Sequence, residues 1–196
     1  GIDRNLIGTY EVGYVIAPRL NAMGRLESAM DSLRLLCTKN ILRAKELARK
    51  LSSTNSQRQN FTQQAAMHAI TNHKLQITNN QRLIFVAHES YQQGIIGLVA
   101  SKLVEQYYLP SIVVSKGQVY SKASARSIYG FNIIEFIRSA SEFLVDAGGH
   151  PMAAGFTVET AKLELVQKKL EELALKQVSK KLLNQTLRID CELPID

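Results

Sequence analysis

The sequence has no tryptophan, only two cysteines, four prolines and four histidines among its 196 residues. Each scarcity excludes something. Cys37 and Cys191 are far apart and in no metal-ligand spacing, so neither a disulfide framework nor a cysteine metal knuckle is expected. Cys37 follows Leu35 and Leu36 and is expected to pack in an apolar stretch. No apolar run approaches the roughly 18 residues of a membrane helix. Residues 1–20 lack the basic start, apolar middle and small-residue cleavage site of a secretory signal. The histidines (His68, His73, His88, His150) and the five aspartates (Asp3, Asp31, Asp146, Asp190, Asp196) are scattered. No two-metal carboxylate cluster can be assembled from them, so no metal ligands are assigned to this chain.

Acidic residues are also in deficit: 17 against 24 lysines and arginines, for a formal net charge of +7. A basic balance favours polyanionic partners, nucleic acid first. Apolar residues make up 45% of the chain, enough for a hydrophobic core. The chain starts without Met and stops within Leu187 to Ile195, a strand-like run. It is read as a piece of a longer protein.

Residues 8–26 carry Gly8, Gly13, Gly24 and Pro18, and are expected to form turns and short helical pieces. Residues 28–38 have helical spacing at Met30, Leu33, Leu36 and Cys37. From Asn40 to about Lys74 there is neither Gly nor Pro. Leu42, Leu47, Ala48 and Leu51 give this stretch an apolar stripe, but residues 52–64 (SSTNSQRQNFTQQ) are polar on every face except at Phe61. That pattern predicts a solvent-bridging strut roughly 50 Å long, with two shorter helices joined by a polar loop as the alternative. Strands then alternate with helices: strands over 82–88, 110–115, 119–124 and 154–158, helices over 94–108, 132–144 and 161–183. The expectation is an α/β domain from about 80 to 184, an open mixed β-sheet with flanking helices preceded by a long linker helix.

Four blocks carry candidate chemistry. In AGGHPMAAGF (147–156), Gly148 and Gly149 let backbone approach a ligand, with N–H groups able to face an anion. His150 stands at an exposed bend there, able to contact a phosphate oxygen or move a proton; a tight turn with a surface histidine is the plain alternative. In SKASARSIYGFN (121–132), Ser124, Arg126 and Ser127 combine a guanidinium with two hydroxyls, a set suited to phosphate. Asn132 is a candidate helix N-cap, and a polar strand end is the alternative. In APRLNAMGRL (17–26), Arg19, Asn21 and Arg25 punctuate a Gly-containing loop and could clamp a backbone phosphate; a solvated basic loop is the alternative. In YQQGIIGLVASKL (91–103), Gly94 and Gly97 frame an apolar helix start that suits close helix-to-sheet packing. Tyr91 is expected to be half-buried, with base stacking as the other option.

Taken in order, these blocks resemble the RecJ family of DHH phosphoesterases. YQQGIIGLVASKL, SARSIYGFN and GGHPMAAGF resemble its DHH-associated domain, and APRLNAMGRL the loop after its catalytic domain. Asn55–Gln59 resembles its linker helix, and RIDCELPID (188–196) the entry into its oligonucleotide-binding fold. The chain departs from the family pattern at Gln92–Gln93, where histidine is common, and at Ala125, where glycine is common.

The resemblance implies four parts: a junction over 1–39, a linker helix over 40–78, a DHH-associated nucleic-acid-binding domain over 79–186, and the start of a further fold over 187–196. It implies part of a bacterial, cytoplasmic DNA-repair and recombination enzyme that hydrolyses single-stranded DNA from the 5′ end, with RNA as the other polymer to consider. The Mn or Mg would be held by an N-terminal DHH domain of the same protein. Here His150 would face the scissile phosphate, and Ser124, Arg126 and Ser127 would grip the backbone. Arg19, Asn21 and Arg25 would lie near the domain junction. Two alternatives stay open: a DHH-family enzyme for short RNAs or cyclic dinucleotides, which usually lacks the long helix, and a non-catalytic single-strand-binding module.

Overall fold

The computed structural model describes residues 4–72, 80–187 and 189–192. A π-helical turn over Glu11–Ile16 runs directly into α1 (Ala17–Leu26). The block 17–26 is therefore a helix, not the expected loop. Pro18 sits in the first turn of α1, just after the π-helical segment ends. Ala22 and Met23 are fully buried, and α1 packs along the third helix, which outweighs the intrinsic cost of Gly24. After α2 (Met30–Cys37), the Asn40 side chain caps α3 (Ile41–Asn72) by accepting from the N–H groups of Leu42 and Arg43 at 2.9 and 3.1 Å. Cys37 is exposed rather than packed.

The expected long helix is present and continuous, 32 residues from Ile41 to Asn72; the remainder of 40–78 beyond Asn72 lies outside the described residues. It is not a strut polar all round and open to solvent. Thr54, Asn55 and Thr62 are buried at 3, 6 and 4% exposure. Small polar side chains line the face that meets α1 and the following helix. They enter the interior because they are mostly satisfied there: Thr62 donates to the Arg58 carbonyl at 2.8 Å, and Thr54 to the Glu27 carboxylate at 3.1 Å. Lys50 adds ion pairs to Glu27 and Asp31 at 2.9 and 2.8 Å, pinning α3 to the start of the chain.

The α/β part is built from β1 (Ile84–His88), α4 (Ile96–Tyr107), β2 (Ser111–Ser115), β3 (Tyr120–Arg126), α5 (Ile133–Arg138), β4 (Asp146–His150), β5 (Ala153–Glu159) and α6 (Leu163–Gln177). The sheet order is β1-β2-β3-β5-β4. Only β1–β2 is parallel, joined through α4; the remaining pairs are antiparallel. This is the open mixed sheet the sequence predicts. The fifth helix is shorter than expected and ends at Arg138; Asn132 caps it, accepting from the Glu135 N–H. The sixth ends at Gln177, with a single 3-10 turn over Lys180–Leu183. Residues 187 and 189–192 lie in neither helix nor strand; the other residues of the expected terminal segment fall outside the described ones.

Both faces of the sheet are used, unequally. On one face, Phe85, Ile112, Val114, Ala123, Ala125, Phe156 and Val158 pack under α5 and α6. Each fully buried aliphatic or aromatic side chain contributes roughly 1.5–3 kcal/mol. On the other face, Ile84, Val86 and Val113 lie beneath α4 and the end of α3. That cover spans β1 and β2 and reaches β3 where Gly97 of α4 meets Ser124 and Arg126, and the same face of β5 and β4 is left partly open.

Candidate nucleic-acid interface

Strand alternation decides what the open face presents. Along β3, Ser121, Ala123 and Ala125 are buried, while Lys122, Ser124 and Arg126 point the other way. Register extends this across the sheet. Arg126 pairs with Ala153, which pairs with His150; Ser124 pairs with Gly155, which pairs with Gly148; Lys122 pairs with Thr157, which pairs with Asp146. Directly opposed residues share a face, so three rows lie side by side. The middle row has one hydroxyl and two glycines, which makes a floor of nearly bare backbone. Arg126 and His150 end the next row, with α-carbons about 10 Å apart across two strand spacings.

Gly148 and Gly149 are thus in strand β4 rather than in a turn; the turn is Pro151–Met152. Gly149 has φ +151°, and a methyl group there would stand 2.4 Å from the Ala153 carbonyl oxygen. At Gly148 a methyl group would meet nothing within 4 Å, so the space above it is open. The turn is fastened from outside the hairpin: the Met152 carbonyl accepts from Ser127 N–H and the Pro151 carbonyl from Ile133 N–H, both at 3.0 Å. His150, exposed at the end of β4, is held by a rigid frame.

Arg126 donates to Ser124 Oγ at 3.1 Å and to the Ala125 carbonyl at 2.8 Å. It therefore folds along its own strand toward the floor, beside Gly97 of α4. Arg25 approaches from α1 and donates to the Gly94 carbonyl at 3.2 Å. Arg58 comes from α3. Burial holds the Arg126 and Arg58 guanidinium pKa values below their usual range, and the positive charge of Arg25 lowers both further. One cation thus acts on the other two. Among the described residues, none of the three forms an ion pair with a carboxylate. Arg58 Nε, together with Asn55 Oδ1 one turn before it, is buried without a hydrogen-bond partner among the described residues. A buried unmade hydrogen bond costs about 1–3 kcal/mol. Three clustered cations without a counter-charge, one carrying an unmet donor, form an anion-binding arrangement.

The structure does not unite every predicted residue. Ser127 is 5% exposed, and its hydroxyl donates to the Phe131 carbonyl at 2.6 Å; it shapes the chain after β3 and does not face the floor. Arg19 donates to the Val15 carbonyl, bracing the preceding π-helical turn. It stands off the face of α1 that carries Asn21 and Arg25, which are one turn apart and both exposed. Ala125 is fully buried on the opposite face. Tyr91 is 1% exposed, so it is no stacking platform. Its hydroxyl meets His68 Nδ1 at 3.0 Å, and the His68 and His88 rings lie 4.4 Å apart. Arg58 and Asn55 were missed as site residues, because only tertiary packing brings them to Arg25 and Arg126.

The DHHA1 domain family matches residues 79–176, half of the chain. The chain belongs to the DHHA1 domain family. Within the DHHA1 domain lie Ser124, Arg126, Gly148, Gly149 and His150; Arg25, Asn55 and Arg58 precede it. The chain is similar to the single-stranded-DNA-specific exonuclease RecJ of Bacillus subtilis, 38% identical over 165 residues that make up 83% of this chain and 21% of the relative. It is 30% identical to the Escherichia coli protein of the same name, over 87% of this chain and 31% of that one. Among solved structures, RecJ from Thermus thermophilus in complex with Mg2+ has a TM-score of 0.76 at 31% identity, covering 85% of this chain and 26% of that one. A structure of exonuclease RecJ bound to manganese has a TM-score of 0.73, covering 85% of this chain and 41% of that one. The DHHA1 chain therefore spans only a fifth to a third of the length of these two curated relatives.

Proposed function

We propose that this chain is the strand-holding part of a metal-dependent exonuclease that removes nucleotides from the 5′ end of single-stranded DNA. The observation that carries the reading is the trio Arg25, Arg58 and Arg126, without acidic partners among the described residues, at the head of a sheet floor made of Ser124, Gly155 and Gly148. Guanidinium groups suit phosphate oxygens. Bare backbone beside them lets a sugar-phosphate chain lie close. In the proposed role, His150 contacts the strand from the far edge of the floor, and Asn21 extends the contact along α1. Phosphate contacts position a strand without reading its bases, as a nuclease of general sequence range requires.

The catalytic ions are a separate part of the proposal. RecJ neighbours are described with Mg2+ or Mn2+. Among the described residues here, no three His, Cys, Asp or Glu side chains gather to hold a metal ion. The residues present do not fit that group, and the ions are assigned to an upstream DHH domain of the same protein. Among the described residues, no helix is long and apolar enough to cross a membrane; a cytoplasmic location is proposed from the repair role. The continuous 32-residue α3 favours this reading over the smaller short-RNA and cyclic-dinucleotide enzymes.

The test is binding and cleavage measured on one preparation. The chain should bind single-stranded oligonucleotides weakly and show no chelator-sensitive degradation with Mn2+ or Mg2+. Joined to the upstream domain it should degrade them from the 5′ end. Robust metal-dependent degradation by the chain alone would sink the division of labour.

A further inference from the structure

A cavity of about 560 Å3 lies between α3 and α4, within the range of small-molecule sites, about 300–1,000 Å3. Arg58, Gln59 and Gln63 line it from α3, and Leu98, Ser101 and Lys102 from α4. Two hydroxyls at its wall are already engaged: Ser101 donates to the Gly97 carbonyl at 3.1 Å and Thr62 to the Arg58 carbonyl at 2.8 Å. The remaining functions are a guanidinium, an ammonium, side-chain amides and one carboxylate, that of Glu105.

These functions are distributed unequally. Ser101 stands one turn after Gly97, the residue packed against Arg126. One end of the groove therefore adjoins the arginine cluster, and Arg58 belongs to both. At that end lie the two buried polar atoms without partners among the described residues, Arg58 Nε and Asn55 Oδ1; Asn55 is only 6% exposed. Beside Arg58, the amides of Gln59 and Gln63 and the apolar surface of Leu98 line the groove, while Lys102 and Glu105 stand further from Gly97 along α4 and offset each other in charge. A cationic head and an amide-and-aliphatic body suit a ligand with one anionic group and a planar heterocycle carrying donors and acceptors. An inorganic anion would use only the head.

We propose that the α3–α4 groove is a nucleotide subsite, in which Arg58 takes the phosphate and Gln59, Gln63 and Leu98 take the base. This rests on the reading of the arginine cluster as a phosphate site. It gives α3 a role in binding in place of that of a spacer. The same chemistry is offered by a free nucleoside monophosphate and by one nucleotide of a strand, and the experiment separates them.

Titration calorimetry of the chain with thymidine 5′-monophosphate, inorganic phosphate and thymidine tests the proposal. The nucleotide should bind at least tenfold tighter than phosphate. Arg58→Ala should abolish binding of both. Gln63→Ala, at an exposed position, should bring the nucleotide down toward phosphate and leave phosphate unchanged. Arg58→Lys keeps charge and bulk should Arg58→Ala unfold, and it too should weaken the nucleotide. Equal affinities for nucleotide and phosphate, or indifference to Gln63→Ala, would overturn the subsite. Competition by an oligothymidylate would assign the subsite to the strand; its failure to compete would assign it to the free nucleotide. If the nucleotide does not bind while oligonucleotide binding still depends on Arg126, the groove alone is wrong. If Arg126 does not matter either, the phosphate reading falls with it.

Discussion

Gly97 and Arg126 are fitted to each other: a methyl group on Gly97 would stand 2.8 Å from Nη2 of Arg126 and 3.0 Å from Ser124 Oγ. The α4 helix can lie over β3 only because that position has no side chain, and the guanidinium occupies the space so left. The obstruction in an alanine variant would be the movable end of a side chain, so the fold should absorb it. Gly97→Ala should leave the melting temperature within a few degrees, yet weaken single-strand binding nearly as much as Arg126→Ala. Full affinity in Gly97→Ala, measured by fluorescence anisotropy, would show that the seat of Arg126 is unimportant.

Gly94 makes the opposite prediction. A methyl group there would stand 1.8 Å from the backbone oxygen of Arg25 and 2.7 Å from its carbonyl carbon. Backbone cannot step aside as a side chain can. Gly94→Ala should force α1 away from the loop before α4, at a cost of about 1–3 kcal/mol or more, typical of overpacking. For a chain of this size that lowers the melting temperature by roughly 2–4 °C per kcal/mol. Binding should fall as well, since Arg25 would move away from Arg58 and Arg126. A variant as stable as the parent would remove the case for a tight α1–α4 junction.

Arg126→Ala itself should weaken binding of unrelated sequences about equally, because a phosphate contact carries no base information. It should also flatten the plot of log affinity against log salt by roughly 0.7, the single-strand share of one neutralised phosphate. Arg126→Lys should recover part of the slope but not the affinity, since an ammonium lacks the planar fork. Lys176→Ala, on an exposed part of α6, is the control. Equal effects from Arg126→Ala and Lys176→Ala would mean that the net charge binds diffusely.

The sheet was legible because its signals are local. RLIFVAH and PSIVVS are short apolar runs, and SKASAR alternates, so β1, β2 and β3 follow from period and composition. Ser124 and Arg126, two residues apart, could be placed on one face. Their alignment with Gly155 and Gly148, and with Ala153 and His150, depends on register between strands and is not written in either segment. The helix over 17–26 was missed because Pro18 and Gly24 carry loop signals. The stability of that helix comes from Ala22 and Met23 packed on α3, which is information about a distant segment. The polar middle of α3 misled for the same reason: its burial is visible only once Glu27, Arg25 and α4 are set against it. Arg58 had no local signal of function at all.

The adjacent glycines of β4 should separate structure from binding. Gly148 faces open space, so Gly148→Ala should fold as well as the parent while raising a methyl group on the floor and lowering strand affinity. Gly149 has φ +151° and abuts the backbone of Ala153 and Ala154. Gly149→Ala should destabilise by about 1–3 kcal/mol, the usual cost of a non-glycine residue in such a conformation, and should displace His150. Melting curves and anisotropy on the two variants test both halves. A loss of stability in Gly148→Ala with none in Gly149→Ala would contradict the described hairpin.

Tyr91 gives a prediction at high pH. Burial pushes its phenol pKa up to about 12, whereas a tyrosine in the unfolded chain ionises near 10. Below about pH 10 both states hold the proton and stability does not depend on this group. Between 10 and 12 the unfolded chain releases the proton and the folded one does not, so the unfolded state gains. Stability should therefore fall as pH rises through that window, by on the order of 2 kcal/mol at the top of it, since a tenfold difference in proton affinity between the two states is worth about 1.4 kcal/mol. Tyr91→Phe should start from lower stability, because the bond to His68 Nδ1 is lost, but should decline less steeply from pH 10 to 12. Phenolate absorbance near 295 nm offers an independent reading. At pH 11 the parent and Tyr91→Phe should absorb nearly alike, and the extra phenolate of the parent should appear only near pH 12 or on unfolding. A full one-tyrosine difference already at pH 11 would mean that the Tyr91 hydroxyl is open to solvent, and with it the loop from His88 to Gly94 that positions Arg25 against α4.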